Sequence, residues 1–398
     1  MIKQSSSLDQ KPLFDKKISM VVPELCTIEE VQQELRDIFS TGMLSNAKFV
    51  RYFEDKCREY IDVKHAVAVS SCTSGLMLLE KLLGLKGKVL CPTFTFVATV
   101  HSLIWNGLEP VFVDCDKETF NIDPVEVEKN IDSETCAILA VSVFGNPPAI
   151  DQLGEIATRH NLKLIFDSAH AFGGTYKGIR SGNFGAGEVF SLSPTKVLVA
   201  GEGGLVTTND SDLAKLLRMG RNYGDPGNYD CLFTGLSCRM PEMNAVLGLK
   251  TLEKVDRVVT KRNKVAQLYA HHLRNIPGIT LQKITEESLS TFKDFALVIN
   301  EDKFGVSRNL LAEVLDRNNV DTRKYFSPLV HKQVSYERFK EKYQNKLTNS
   351  DYLSRNILCL PIYSHMTEGV VSGICDIIRY VHKNSDAITE SFMANSER

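Results

Sequence analysis

Short apolar runs alternate with amphipathic segments along most of the chain from about residue 65. The runs are hydrophobic throughout rather than at every second position, which is typical of strands covered by helices on both faces of a sheet. They are His65–Ser70, Lys88–Pro92, Pro110–Asp114, Cys136–Phe144, Leu162–Asp167, Gly187–Ser193 and Gly204–Thr208. The alternation predicts a layered α/β domain with one mostly parallel, seven-stranded sheet.

The segments between these runs carry apolar residues at helical spacing. Ser74–Leu85 and Ile150–His160 each predict a helix with one buried face. Helical periodicity continues through Met243–Tyr269, which is long enough to bridge two domains. After it, a strand at Phe295–Ile299 and a helix at Arg308–Asn318 indicate a smaller α+β unit.

The length of the chain adds a prediction of domain organisation. A chain of 398 residues is too long for one compact core. We expect an N-terminal arm over residues 1–30, a large α/β domain over 31–260 and a small C-terminal domain over 261–398.

Composition and charge exclude several classes of function. A formal net charge of −2, without a long basic run, favours neither nucleic acid nor an anionic membrane as partner. The first twenty residues are polar and no run of eighteen apolar residues follows, so we expect neither export nor a membrane span. The ten cysteines are scattered singly, without zinc-site spacing, which predicts reduced thiols in a cytoplasmic protein without a metal site.

A cluster of small polar residues separates the first predicted strand from the first strong helix. It runs from Ser70 to Gly75. Backbone N–H groups at a helix start can bind a phosphate together with the hydroxyls of Thr73 and Ser74, and Gly75 permits close approach. The same residues are compatible with a simple helix N-cap by Thr73, so both interpretations stay open here.

An acidic residue ends the fifth apolar run. Asp167 lies at the carboxyl end of a strand, where open α/β sheets bind ligands, and His170 follows it. A carboxylate facing a pyridine nitrogen would keep that nitrogen protonated and make the ring an electron sink. Asp167 as a cap of the next turn and His170 as a structural hydrogen-bonding residue are the alternatives.

A lysine follows the sixth apolar run, and a glycine-rich turn at 201–204 comes soon after it. Lys196 can hold an aldehyde cofactor as a Schiff base while a distant acid controls the ring of that cofactor. Ser191 lies close enough in sequence to reach the same phosphate as Thr73. In the segment Pro92–Phe96, an aromatic side chain can stack on a flat ring. Together these features predict pyridoxal phosphate chemistry.

In combination, these segments resemble the sugar aminotransferases of the DegT/StrS type, a branch of the fold-type-I pyridoxal phosphate enzymes. The resemblance spans most of residues 40–250 and keeps the expected order. The matching segments are Ser71–Leu76, Pro92–Thr99, Pro110–Asp116, Asn121–Asp123, Phe166–Gly173, Ser191–Asp210 and Gly235–Leu249.

The resemblance implies roles for individual residues. Lys196 would form the Schiff base, Asp167 would pair with the pyridine nitrogen, and His170 would lie beside the ring. Thr73, Ser74 and Ser191 would contact the phosphate of the cofactor. Phe96 would stack on the face of its ring. Phe94, in the same segment, is assigned to the core.

The resemblance also implies a homodimer with active sites at the subunit interface. Many family members carry Asn-Gly-Thr where this chain has Ser71-Cys72-Thr73. They also carry an asparagine, commonly reaching the phosphate of the neighbouring subunit, where this chain has Ser237. The C-terminal segment from Arg323 to Tyr336 is similar to a substrate-facing part of the family, which makes Tyr325 and His331 candidate substrate-binding residues.

The activity implied is transfer of an amino group from L-glutamate to a keto group of a dTDP-, UDP- or GDP-linked deoxysugar, for amino-sugar and polysaccharide biosynthesis. Related sugar dehydratases replace the lysine with histidine, so Lys196 favours transamination. A pyridoxal phosphate enzyme of another reaction type on amino acids and a non-catalytic regulator that retains the fold are the alternatives. The choice of sugar and of the aminated carbon depends on pocket shape, which the sequence does not determine.

Overall fold

The computed structural model describes residues 11–396, with side chains described as far as Phe392. The first ten residues of the expected N-terminal arm and the last two of the expected C-terminal domain lie outside this range. In chain order, the strands are β1 His65–Val69, β2 Lys88–Pro92, β3 Glu109–Val113, β4 Thr135–Val141, β5 Lys163–Asp167, β6 Thr175–Tyr176, β7 Ile179–Arg180, β8 Gly187–Ser191, β9 Gly204–Thr208, β10 Ile279–Leu281, β11 Ser288–Leu289, β12 Phe295–Ile299 and β13 Ile357–Leu360.

The helices surround these strands. They are α1 Gln32–Thr41, α2 Lys48–Ile61, α3 Cys72–Leu82, α4 Ala98–Trp105, α5 Pro124–Lys129, α6 Ile150–Arg159, α7 Ser211–Gly220, α8 Glu242–Leu252, α9 Val255–Leu273, α10 Glu301–Phe304, α11 Arg308–Arg317, α12 Thr348–Asn356, α13 Glu368–Lys383 and α14 Ser385–Ser396. In the described range, no helix combines the length and apolar character needed to cross a bilayer.

The main sheet contains all seven strands expected from the apolar runs. Within residues 11–396 its order is β1-β9-β8-β5-β4-β2-β3. The strands from β8 to β3 pair in parallel, whereas β9 runs antiparallel to both β1 and β8. The prediction of a mostly parallel α/β sheet is therefore confirmed, and the carboxyl ends of β2, β4, β5 and β8 meet at one edge.

Helices cover both faces of this sheet, which explains the continuous hydrophobicity of its strands. In β1, Val67 and Val69 pack with α3, α4 and α7, while Ala66 and Ala68 pack with α2, α8 and α9 on the opposite face. Because each strand buries both of its faces, apolar residues are stabilising at every position rather than at alternate ones.

The long helix expected over Met243–Tyr269 is instead two helices, α8 and α9. Between Leu249 and Arg262 the sequence has neither glycine nor proline that would indicate a break. The junction is held by tertiary contacts, since the Lys254 ammonium donates to the Leu25 carbonyl at 3.1 Å and lies 3.7 Å from the Glu30 carboxylate. The prediction of one continuous helix is therefore wrong for a reason that local sequence does not show.

Helix α9 joins two hydrophobic cores. Val255, Val258 and Val259 pack under the main sheet. Val265 and Tyr269 pack in a second core with the antiparallel sheet β10-β12-β13 and with α11 and α13. The expected domain boundary near residue 260 falls within this helix and stays a prediction.

A buried carboxylate fixes the start of α2. The helix begins after Ala47, whose side chain cannot act as a cap. Glu242, 1% exposed, supplies the missing acceptor from α8: its oxygens accept from the N–H groups of Ala47 at 2.8 Å, Phe49 at 2.7 Å and Val50 at 3.0 Å. One side chain thus satisfies the helix start and joins α2 to α8.

Replacing this carboxylate is expected to destabilise the protein. Glu242→Ala leaves three buried N–H groups without acceptors, which should cost about 2–3 kcal/mol of unfolding free energy. Urea denaturation followed by circular dichroism measures the change. The exposed Glu253, at the end of the same helix, is the matched control, and Glu253→Ala should stay within about 0.5 kcal/mol of the parent. Equal stability of the two variants would contradict the capping role.

Candidate active site

A cavity of about 300 Å³ opens at the carboxyl edge of the main sheet. Its wall includes residues from the ends of β5 and β8, from the start of α3 and from the segment before β12. The sequence candidates that line it are Thr73, Phe96, Asp167, His170, Ser191, Lys196 and Tyr325. Three others do not line it: Ser74, Ser237 and His331.

The start of α3 forms one side of the cavity. Ser71 is its N-cap, and the Ser71 hydroxyl accepts from the Ser74 N–H at 3.1 Å. The N-cap by Thr73 considered from the sequence is therefore wrong, because Thr73 lies inside the first turn. Thr73 instead lines the cavity. It lies in the first turn of α3, where the backbone N–H groups have no carbonyl acceptor within the helix.

Ser74 and Gly75 serve the helix and its packing. The Ser74 hydroxyl completes a capping box by accepting from the Ser71 N–H and donating to the Ser71 carbonyl. A Cβ on Gly75 would lie 2.7 Å from a methyl group of Val189, so the missing side chain lets α3 approach the sheet. Close approach at Gly75 is thus to the sheet and not to the cavity.

Asp167 is held at the inner end of the cavity. Its side chain is buried, and its oxygens accept from the Thr99 hydroxyl at 2.7 Å and from the Ala169 N–H at 3.2 Å. The Cys72 thiol lies 3.8 Å from the same carboxylate. Burial raises the pKa of Asp167, while these donors and Lys196 oppose the shift. The contacts of Thr99 and Cys72 with this carboxylate have no signal in the sequence, because they arise from the packing of α3 and α4 against β5.

Lys196 follows β8 in a turn closed by a hydrogen bond from its own N–H to the Ser193 carbonyl at 3.0 Å. Among the described residues, no hydrogen bond or ion pair engages its ammonium group. Burial and, to a lesser degree, the positive charge of Lys293 lower the pKa of Lys196 to about 8, against the opposing charges of Asp294 and Asp167. With this pKa roughly one amine in ten is neutral at pH 7, more than about a hundredfold above an ordinary lysine, and the neutral amine is the form that acts as a nucleophile or base.

His170 faces the same space as a neutral ring. Burial lowers its pKa well below the usual range, and the charges of Lys196 and Lys293 act in the same direction. Its Nδ1 is buried and has no hydrogen-bond partner in the described structure. Because a buried nitrogen without a partner is costly, the ring is prepared for a polar group that enters the cavity.

Two charged residues missed in the sequence also line the cavity. Lys293 and Asp294 form an ion pair in which the Lys293 ammonium lies 3.0 Å from both carboxylate oxygens. The available signal was a pair of charges directly before the fully buried strand β12. Buried charges are rare unless they are paired, so this position calls for a functional explanation.

Aromatic residues lie at the cavity wall. Phe96 is 60% exposed and Tyr325 lies beside Phe326. An aromatic ring that remains this exposed beside a cavity is available to stack on a flat ligand. Phe94, assigned to the core, is fully buried and packs edge-on against three other phenylalanine rings.

The structure separates two candidates from this group. His331 is buried behind the cavity, where its Nδ1 lies 2.7 Å from the Thr93 hydroxyl and its ring packs near Phe112. Ser237 lies exposed on the segment after α7, and its backbone pairs with Asn222. Within one chain, neither residue contributes to the cavity wall.

Comparisons with known proteins agree on one group of relatives. The DegT/DnrJ/EryC1/StrS aminotransferase family matches residues 25–379. The dTDP-4-amino-4,6-dideoxy-D-glucose transaminase of Escherichia coli is 31% identical over 366 residues, covering 92% of this chain and 98% of that protein. The GDP-perosamine synthase of Vibrio cholerae is 32% identical over 353 residues, with coverage of 87% and 94%. The crystal structure of DesI with its TDP-sugar product has a TM-score of 0.87 at 32% identity, covering 97% of each chain.

The low proton affinity of Lys196 can be tested directly. Competitive labelling with limiting acetic anhydride, in protein freed of bound small molecules and read by peptide mass spectrometry, should give a midpoint near pH 8 for Lys196. Burial disfavours the ammonium form, so the amine reacts at a pH where ordinary lysines are protonated. Lys215, exposed and paired with Asp212, serves as control and should titrate at or above ~10.4. Coinciding midpoints would contradict the effect of burial.

Proposed function

The chain belongs to the DegT/DnrJ/EryC1/StrS aminotransferase family, and we propose that it transfers an amino group from L-glutamate to a keto group of a nucleotide-linked deoxysugar. The proposal rests on one observation: a lysine that forms no ion pair among the described residues and a buried carboxylate line the same cavity. The related proteins named above support the substrate class, because their names describe dTDP- and GDP-linked amino sugars.

The residues of the cavity fit pyridoxal phosphate. A free amine, a buried carboxylate, an unpartnered histidine nitrogen and a helix start bordered by hydroxyls match the aldehyde, ring nitrogen, ring substituents and phosphate of that molecule. When bound, pyridoxal phosphate supplies an aldehyde that condenses with amines and a ring that accepts the electron pair of a breaking C–H bond.

Lys196 is proposed to have two tasks. Its neutral amine attaches the cofactor covalently, and once displaced by the amino donor it takes the proton from the donor's α-carbon. A base that works near neutral pH needs a pKa near that pH, and burial lowers the pKa of Lys196 to about 8. In the second half of the cycle the same nitrogen returns a proton to the carbon that becomes aminated.

Asp167 is proposed to hold the proton on the cofactor ring nitrogen. Thr99 fixes the orientation of this carboxylate through its 2.7 Å hydrogen bond, and Thr95 in turn lies 2.8 Å from the Thr99 hydroxyl. Both threonines are fully or almost fully buried, so water does not compete for these contacts. Thr99 therefore acts as a positioning residue for Asp167.

Thr73 and Ser191 are the proposed phosphate contacts within this chain. Both line the cavity, one at the start of α3 and one at the end of β8. Ser74, whose hydroxyl is engaged in the capping box, is less suited to this task. Phe96 is proposed to stack on the ring and Tyr325 to contact substrate. Because Ser237 lies outside this cavity, its contribution is proposed for the cavity of a second subunit in a homodimer.

The function is tested with purified protein, pyridoxal phosphate, glutamate and a panel of dTDP-, UDP- and GDP-linked 3- and 4-ketosugars. We expect 2-oxoglutarate and one amino sugar as products.

Lys196→Ala should remove turnover and the visible absorption of the attached cofactor, while its melting temperature should stay near that of the parent. Lys215→Ala, outside the cavity, should retain both. Full transamination by Lys196→Ala would refute the role of this lysine. Cofactor binding without conversion of glutamate would favour a regulator, and racemisation or elimination of amino acids would favour another reaction type.

Replacing the buried carboxylate should slow both halves of the reaction. Asp167→Asn removes the negative charge that keeps the ring nitrogen protonated, so each half-reaction should slow by about 10- to 100-fold, the equivalent of one strong charged hydrogen bond. Stopped-flow absorbance measures the two halves separately. The exposed Asp212 gives the control variant Asp212→Asn, expected at the parent rate. Unchanged half-reaction rates in Asp167→Asn would count against the assignment.

A further inference from the structure

The ion pair between Lys293 and Asp294 is placed at the cavity, yet the proposed cycle does not use it. Both side chains are almost completely buried, at 5% and 1% exposed, and both border the same space as Lys196. Burying two charges costs free energy that their attraction often fails to recover. A pair kept at such a place is therefore a candidate for recognition rather than for stability.

Both charges of the pair act on the cavity. The Lys293 ammonium lies 5.4 Å from the centroid of the Tyr325 ring, which lines the cavity, and its positive charge contributes to the lowered pKa of His170 and of Lys196. The Asp294 carboxylate opposes the lowering by burial of the pKa of Arg262, a buried residue of α9. Both groups thus border the cavity, with the Lys293 ammonium next to Tyr325 and the Asp294 carboxylate acting on Arg262 of α9 as well as on Lys196.

Hydrogen bonds hold the backbone that carries Lys293. The Lys293 N–H donates to the Phe144 carbonyl at 2.9 Å, and the Arg262 guanidinium donates to the Phe292 and Lys293 carbonyls at 3.0 and 3.2 Å. The backbone on both sides of the Lys293 side chain is therefore anchored. An ammonium group has three N–H donors, and the two oxygens of Asp294 leave one of them for a ligand.

We propose that Lys293 binds the α-carboxylate of the amino donor, with Asp294 as its counter-ion when the donor is absent. The proposal rests on the proposed function and adds to it a specificity-determining residue. Among the described residues that line the cavity, Lys196 and Lys293 are the lysines, and arginine is absent. Since Lys196 is engaged with the cofactor and the donor nitrogen, Lys293 is the cation left for an acid group.

Chemical structure favours the donor over the sugar as the source of this anion. In an amino acid, the carboxylate is attached directly to the carbon that loses its proton, so it must lie close to Lys196. In a nucleotide-linked ketosugar, ring atoms and the anomeric oxygen separate the diphosphate from the reacting carbon at position 3 or 4. A cation beside Lys196, inside a cavity of about 300 Å³, is thus placed for the carboxylate.

The test removes both charges of the pair, so that neither Lys293 nor Asp294 is left without the other. The variant Lys293→Met/Asp294→Asn is compared with Lys177→Met/Asp151→Asn, which removes an ion pair outside the cavity. Holoenzyme of each protein is mixed with glutamate, and the loss of visible absorption gives an apparent Kd and a limiting rate. The second half-reaction is measured with the ketosugar, and glutarate, an unreactive dicarboxylate, is titrated by its spectral shift.

We expect the Lys293/Asp294 variant to bind glutamate and glutarate at least about tenfold more weakly, with the apparent Kd for the ketosugar within twofold of the parent. The Lys177/Asp151 control should match the parent in every measurement. Glutamate and glutarate affinities within twofold of the parent would overturn the proposal, as would weakening confined to the ketosugar or to pyridoxal phosphate, which would assign Lys293 to a phosphate.

A second variant and the activity of the parent enzyme complete the test. If the double variant melts well below the parent, Lys293→Gln replaces it, because its amide still donates to Asp294 while the charge is lost, and the same two outcomes apply. If the parent enzyme itself fails to convert glutamate, the proposed function fails. Conversion by the parent with unchanged glutamate binding in the variant rejects the Lys293 assignment alone.

Discussion

The structure depends on keeping an amine and a carboxylate in one buried cavity without direct pairing. Burial lowers the pKa of Lys196 and raises that of Asp167, so in both cases it favours the neutral form. Hydrogen bonds from Thr99 and Ala169 hold the carboxylate in place, whereas the lysine has no such partner among the described residues. A ligand that binds between them can thus react with the amine and form a hydrogen bond with the acid.

Other buried acids hold the framework around this cavity by accepting from backbone N–H groups. Glu242 caps α2 from α8, and Asp114, at the end of β3, accepts from the N–H groups of Asn349 and Ser350 at the start of α12. Glu54 bridges Arg221 and the Ala68 N–H behind β1. Each acid joins segments distant in sequence, so the loops that carry the site rest on fixed elements.

Much of the main sheet and of its helices was predictable because the signals are local. Continuous apolar runs identified all seven strands of the sheet, and the strand end at Asp167 identified the edge where the cavity lies. The split of α8 from α9 was not predictable, since Lys254 reaches Leu25 across more than two hundred residues. The N-cap of α3 was misplaced by two residues, because several adjacent serines and threonines are all suitable caps.

By itself, the sequence determined the order of strands and helices and the kinds of side chain at the sheet edge, because burial pattern and residue chemistry are properties of short segments. Only the tertiary structure decided which of these side chains share a space. It brought Lys293, Asp294 and Tyr325 to Lys196 and kept His331 with Thr93 behind the wall. Spatial proximity between distant segments arises from packing of the whole chain, and the spacing of residues along it carries no record of that packing.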